Sequence, residues 1–109
     1  MKKATFLVLA LIALFAFSTT VLAADGAVIF KTKCAGCHGA DASGQTAMGQ
    51  KMKIRDLRTA DVQKQTDAEL TAMIATGGKD AKPTHSFKTK GLTDADITAL
   101  VTYLRSIKK

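Results

Sequence analysis

Both cysteines of this 109-residue chain fall in one pentapeptide, Cys34-Ala35-Gly36-Cys37-His38, and that concentration limits how the chain can be stabilised. A leader-like segment precedes it. Lys2 and Lys3 form a basic start, Ala4 to Phe17 is apolar except for Thr5, and Val21-Leu22-Ala23 has the small residues of a cleavage site. Residues 1–23 are therefore expected to be a signal peptide that is removed, leaving residues 24–109 as the domain. The competing expectation is an uncleaved anchor, because the run extended through Ala24 has about the 20 residues a bilayer span needs. The remaining 86 residues bury barely enough apolar surface to stand alone. Small exported domains usually compensate with several disulfides. A single Cys-x-x-Cys bridge closes a tiny loop and contributes little chain entropy, so the missing stabiliser is expected to be a cofactor.

Three stretches carry helical periodicity. The first runs from about Asp25, a capping residue, to Cys34, with Val28, Ile29 and Phe30 as apolar surface. The second opens with Thr66-Asp67-Ala68-Glu69, a capping box, continues with Leu70, Met73 and Ile74 at helical spacing, and stops at Gly77, where a left-handed cap is expected. The third starts at Thr93, carries Asp94 and Asp96 in its first turn, and presents Ile97, Leu100, Val101 and Leu104 as one stripe before Arg105, Lys108 and Lys109. A short turn or helix is expected near Asp56–Gln63. No stretch alternates as a strand would. Residues 39–53 and 77–91 read as irregular connections, and loops of that length usually carry a function.

Cys-x-x-Cys-His is the signature of c-type haem attachment. Two thiols at this spacing add to the two vinyl groups of one porphyrin, and the adjacent imidazole becomes the proximal ligand of the iron. Three other readings compete. A thioredoxin-like dithiol needs its pair at the start of a helix after a strand. A structural zinc site would use Cys34, Cys37, His38 and His85, but adjacent Cys37 and His38 suit one tetrahedron poorly. A plain disulfide with an exposed His38 is the third.

The chain resembles the small mono-haem class I c-type cytochromes of bacteria, the kind similar to cytochrome c6 and c553. The likeness rests on Gly26-Ala-Val-Ile-Phe30 before Cys34-Ala-Gly-Cys37-His38-Gly39, on Met48-Gly-Gln-Lys51, Ile54-Arg-Asp-Leu57, Gly77-Gly-Lys79, and on Leu92-Thr-Asp-Ala-Asp-Ile97 leading to a terminal helix with Tyr103. It implies an all-α cytochrome c fold, with three to four short helices wrapped around one covalently attached haem c and its iron. It also implies that the first and last helices cross, with Gly26 and Phe30 meeting the last helix near Tyr103. Cys34 and Cys37 would then carry the thioethers and His38 the proximal bond to iron.

Relatives of this kind usually take their second axial ligand from a Met in the loop before the last helix, followed by Pro, a small residue and an aromatic. Here the stretch reads Lys82-Pro-Thr-His-Ser-Phe-Lys88, which sets Thr84 at the Met position and His85 beside it. Thr is a poor ligand for haem iron and imidazole a good one, so His85 is expected to be the distal ligand. Met48 and Met52 are expected in the wall of the haem pocket and Met73 in the core. A second histidine in place of methionine lowers the reduction potential.

The formal charge of +7 loses Lys2 and Lys3 with the leader, so that 14 basic residues face 9 acidic ones and +5 remains. With one Tyr and no Trp there is little to stack on bases, and nucleic acid is not expected as a partner. The expectation is an exported, periplasmic, monomeric electron carrier without stable membrane insertion. Its redox partners would have acidic docking surfaces, met by Lys51, Lys53, Lys79, Lys82, Lys88 and Lys90 around the haem edge. No enzymatic activity is expected; the alternative is a haem-based sensor or weak peroxidase, which requires a labile sixth ligand.

Overall fold

The computed structural model describes residues 25–109, and every regular element among them is helical. The expected signal peptide, residues 1–23, lies outside the described residues. The first helical run starts where the Asp25 carboxylate accepts a hydrogen bond from the Ala27 amide at 2.9 Å. It passes from an α-helix Gly26–Ile29 (α1) through a π-helical turn Phe30–Cys34 into a second α-helix Ala35–His38 (α2). The helix expected to end at Cys34 therefore continues through the whole pentapeptide. Helix α3, Ala47–Lys51, falls in a stretch read as irregular; its start is the Thr46 hydroxyl, which accepts from the Gly49 amide at 2.8 Å. Five residues are too few to show a period.

Helix α4, Ala60–Gln63, occupies the expected turn near Asp56–Gln63. Helix α5, Asp67–Thr76, begins with the reciprocal Thr66–Glu69 box (3.1 and 2.8 Å) and ends at Gly77, left-handed at φ 84°. A Cβ on Gly77 would also crowd the backbone after it, 2.8 Å from the Ala81 carbonyl carbon. A 3-10 turn, Gly78–Asp80, comes next. Helix α6, Asp94–Ser106, has a second reciprocal box in which Asp96 reaches back to the Thr93 amide at 2.9 Å. The acid expected only to complement the helix dipole is thus also a cap.

α6 is the spine of the fold. Ile97 and Leu100 are each 1 % exposed, and Leu100 and Leu104 pack with Ile29, Phe30 and Ala42. Val101, one residue round the helix, packs instead with Val62 and Leu70. Burial of each such side chain stabilises the fold by about 1.5–3 kcal/mol. α1 crosses α6 so closely at Gly26 that a Cβ there would lie 2.6 Å from the Ala99 carbonyl carbon. One turn on, the Phe30 and Tyr103 rings meet at 5.3 Å. The implied crossing of first and last helices is the one observed.

The far side of α6 is stitched by polar contacts. The Arg105 guanidinium donates to the carbonyls of Gln63 (2.7 Å) and Gln65 (2.5 Å) and to the Asp67 carboxylate (2.9 Å), which fixes the α4–α5 junction. The Gln63 amide donates to the carbonyls of Leu57 and Leu104, each at 2.9 Å. Phe30, Leu57, Leu70 and Ile74 border a cleft together with Leu100 and Leu104 of α6.

Candidate functional site

The cleft has a volume of about 320 Å³ and an apolar wall drawn from every helical run except α3 and the 3-10 turn. Its floor comes from Leu100 and Leu104 of α6, one side from Leu70, Met73 and Ile74 of α5, and the opposite side from Phe30, Cys34, Cys37 and His38. The π turn explains how the last four come to share a wall. The Ala35 amide donates to the Phe30 carbonyl, five residues back, so the turn is wider than an α-turn and shifts the register of the residues beyond it. The Thr32 hydroxyl donates to the carbonyls of Val28 (3.0 Å) and Ile29 (3.2 Å) in the turn before it.

The C-terminal end of α2 is clasped by the next loop. The Thr46 hydroxyl donates to the Cys37 carbonyl at 2.6 Å, the Gly44 amide to the His38 carbonyl at 2.7 Å, and the Gly39 amide to the Ala35 carbonyl at 2.8 Å. Those bonds fix the backbone that carries His38. Opposite, His85 rides on the segment between the 3-10 turn and α6. The Phe87 and Lys88 amides donate to the Ile74 and Ala75 carbonyls at 3.0 and 3.2 Å, which lays that segment along the end of α5. Ala81 and Ser86, at φ 45° and 48°, bend the backbone on either side of His85.

The His38 and His85 rings lie with centroids 6.1 Å apart and planes within 10° of parallel. Each has a buried Nδ1 without a hydrogen-bond partner. Burial, and then the neighbouring His85, push the His38 pKa below its ordinary value; burial, and then Lys82 and Lys90, do the same for His85. Both rings are thus held neutral, the form in which imidazole binds a metal. One metal ion between two imidazole nitrogens, with bonds of about 2 Å and a ring radius of roughly 1 Å set by ordinary C–N bond lengths, puts the ring centres about 6 Å apart. The observed spacing and donor set fit a haem iron between the two rings.

Cys34 and Cys37 lie on the same wall and are not joined to each other by a disulfide. Burial, and then Cys37, push the Cys34 thiol up to about 11. A dithiol redox centre requires the opposite shift, and no strand precedes the pair among the described residues, so the thioredoxin-like reading is not supported. Nor, among the described residues, do three His, Cys, Asp or Glu side chains group as a zinc site needs.

Met52 lines the cleft, as expected of a pocket wall, while remaining 47 % exposed. Met48, also expected in the pocket wall, does not line it and is 46 % exposed. Met73, expected in the core, is half-buried and lines the cleft. Charges at the cleft are all of one sign: Lys33, Lys53, Arg55 and Lys82 border it, and no described Asp or Glu does. Lys53 and Lys82 belong to the expected rim. Lys33, next to Cys34, and Arg55, within Ile54–Leu57, lie outside the expected rim and join it only through the tertiary fold. Lys88 is engaged with Asp94 at 3.1 Å, and Lys79 faces a separate shallow groove beside α5. No described helix is long and apolar enough to cross a membrane.

The model of the family described as cytochrome c matches residues 23–108. Cytochrome c6 of Nostoc sp. (strain PCC 7120 / SAG 25.82 / UTEX 2576) is 41 % identical over 108 residues, which is 93 % of this chain and 92 % of that one. Among solved structures, the KustC0563 c-type cytochrome superposes with a TM-score of 0.67 at 31 % identity, over 79 % of this chain and 100 % of its own.

Proposed function

The chain belongs to the cytochrome c family, carries one covalently bound haem c with its iron, and serves redox partners as a mono-haem electron carrier; on that premise we propose which residues perform each task. Cys34 and Cys37 hold the haem by thioethers, His38 is the proximal ligand of the iron, and His85 the distal one. The haem supplies a one-electron ferric/ferrous couple. The observation that carries the ligand assignment is the pair of near-parallel imidazoles lining one cleft with centroids 6.1 Å apart.

The chain's own share of the work is positional. Phe30, Leu70, Ile74, Leu100 and Leu104 exclude water from the cleft, which limits solvent reorganisation when the iron's charge changes. The Thr46 and Gly44 clasp fixes His38, and the bonds of Phe87 and Lys88 to α5 fix the His85 segment. With both axial positions supplied by the chain, no position is left open for a substrate, and the protein acts as a low-potential carrier rather than an enzyme. The basic start, apolar run and Val21-Leu22-Ala23 of the leader support export with removal of residues 1–23.

One preparation tests these assignments together. Protein expressed with its own leader and a c-type maturation system is expected to have the mass of residues 24–109 plus one haem, with the haem retained under denaturation. Its ferric spectrum is expected to be low-spin without the sulfur-to-iron charge-transfer band of Met ligation. A high-spin spectrum would instead favour the sensor or peroxidase, and haem lost on denaturation would refute the thioethers.

The uniform positive charge at the cleft supports docking by acidic redox partners. Steering by such a patch accelerates encounter about 10- to 1,000-fold, and is lost as the screening length falls from about 30 Å at 0.01 M salt to about 8 Å at 0.15 M. Oxidation by ferricyanide, an anion, is therefore expected to slow with added salt. Lys53→Glu with Lys82→Glu should slow it much more than Lys64→Glu with Lys108→Glu, which changes net charge equally but lies off the cleft. Equal effects of the two pairs would reduce the rim to overall charge.

A further inference from the structure

Lys90 does not behave as a rim lysine. Its ammonium turns back across its own loop and donates to the carbonyl oxygens of Pro83 and Thr84, each at 3.1 Å. It also stands 5.0 Å over the centre of the Phe87 ring, where the negative face of the ring attracts a cation. The Thr84 carbonyl belongs to the peptide unit whose nitrogen is that of His85. The Phe87 ring lies 6.2 Å from the His85 ring. One ammonium thus grips the backbone just before His85 and the aromatic just after it.

The segment needs that grip. It is anchored at one end where the Lys82 amide donates to Gly77 (3.2 Å) and at the other where the Phe87 amide donates to Ile74 (3.0 Å). Between them, the only hydrogen bond from residues 83–86 to α5, among the described residues, is that of the Ser86 hydroxyl, 3.3 Å from the Thr76 carbonyl, while the His85 amide closes a local turn onto the Lys82 carbonyl at 3.1 Å. Pro83 has no amide hydrogen to offer, and Lys82, Pro83 and Thr84 are exposed. Exposed turns closed by a few local bonds are where local opening costs least.

We propose that Lys90 is a positioning residue for His85: it cross-links the peptide units of Pro83 and Thr84 to Phe87, so that the imidazole is held at the cleft instead of swinging out with the loop. The inference rests on the reading of His85 as the distal ligand. An ammonium is suited to the task because it has three donors and can serve two carbonyls at once while its charge faces the ring. Lys88, two residues earlier, makes no such contact and pairs with Asp94.

The rate at which cyanide binds the ferric holoprotein reads this directly, since cyanide reaches the iron only when His85 has left it. Lys90→Met is expected to accelerate binding about tenfold, equivalent to about 1.4 kcal/mol. Lys90→Arg, which keeps a charged multiple donor, should stay near the parent rate, and Lys90→Gln should fall between. Lys79→Met removes the same charge from the same connection at a residue that faces the separate groove beside α5, and should leave the rate unchanged. In a His85→Ala background the rate should be fast, and Lys90→Met should add nothing. Parent-like binding in Lys90→Met, or an equal acceleration in Lys79→Met, overturns the role of Lys90. A His85→Ala holoprotein with parent spectrum and parent cyanide rate would instead refute His85 as the ligand, a separate result.

Discussion

Gly26→Val is expected to lower the melting temperature of the holoprotein by more than about 10 °C. The position has no room for any side chain, because a Cβ there falls onto the carbonyl group of Ala99, with the carbon 2.6 Å away, and against the Cβ of Tyr103 at 3.0 Å. The obstacle is backbone in the middle of α6, and it cannot rotate aside as a side-chain tip would. The helices must separate, and separation pulls Phe30 from Tyr103 and Ile29 from Leu100 and Leu104. Over-packing of this kind costs about 1–3 kcal/mol and occasionally more, against a total stability of about 5–15 kcal/mol. At about 4–8 °C per kcal/mol for a domain of this size, a cost near the top of that range gives the stated shift. Gly36→Ala is the control, since nothing lies within 4 Å of a Cβ on Gly36. Far-UV circular dichroism on heating separates the two. A valine variant melting within a few degrees of the parent would mean that the crossing is looser than the structure has it.

The caps at Thr66, Gly77 and Thr93 are legible in the amino-acid sequence, because each depends on residues within one turn of chain, whereas the crossing of Gly26 on α6 joins residues 73 positions apart and is implied only by the resemblance to related chains. The apolar stripe of α6 is equally plain. The features that escape a sequence reading have a common physical origin. The π turn at Phe30–Cys34 is defined by a hydrogen bond from Ala35 to Phe30 and carries no distinctive residue pattern. Helix α3 is held by one threonine cap and is too short to have a face. Around the cleft, Lys33 and Arg55 come from separate loops and helices and meet only through tertiary packing. Lys90 reads as a solvent-facing charge, since nothing in Lys-Gly-Leu-Thr announces that the side chain turns back to Pro83 and Thr84. His85 is the converse case. It is reachable by chemistry, as the one imidazole available beside a position where related chains carry Met, but the 6.1 Å pairing with His38 is a fact of the fold.

His85→Met is expected to raise the midpoint potential by on the order of 0.1 V, a modest part of the about 0.8 V that axial ligands span. A thioether favours ferrous iron more than an imidazole does, so the oxidised state loses relative stability and the potential moves up. For a one-electron couple about 59 mV is a tenfold change in equilibrium constant, so 0.1 V is roughly fiftyfold and well within reach of a redox titration. The substitution keeps a side chain of similar length at a site already bent to present it, with the Phe87 and Lys88 amides still bound to α5, so the loop need not rebuild. Two further chains of reasoning meet in the same measurement. If Met52 or Met73, both of which line the cleft, were the true ligand, His85→Met would leave the midpoint near the parent value, while Met52→Leu or Met73→Leu would lower it and abolish a sulfur-to-iron band already present. If instead the sixth position were open, the parent would be high-spin and His85→Met would turn it low-spin. A rise in potential together with the appearance of that band in a protein that was low-spin without it is the combination that only an imidazole replaced by a thioether produces.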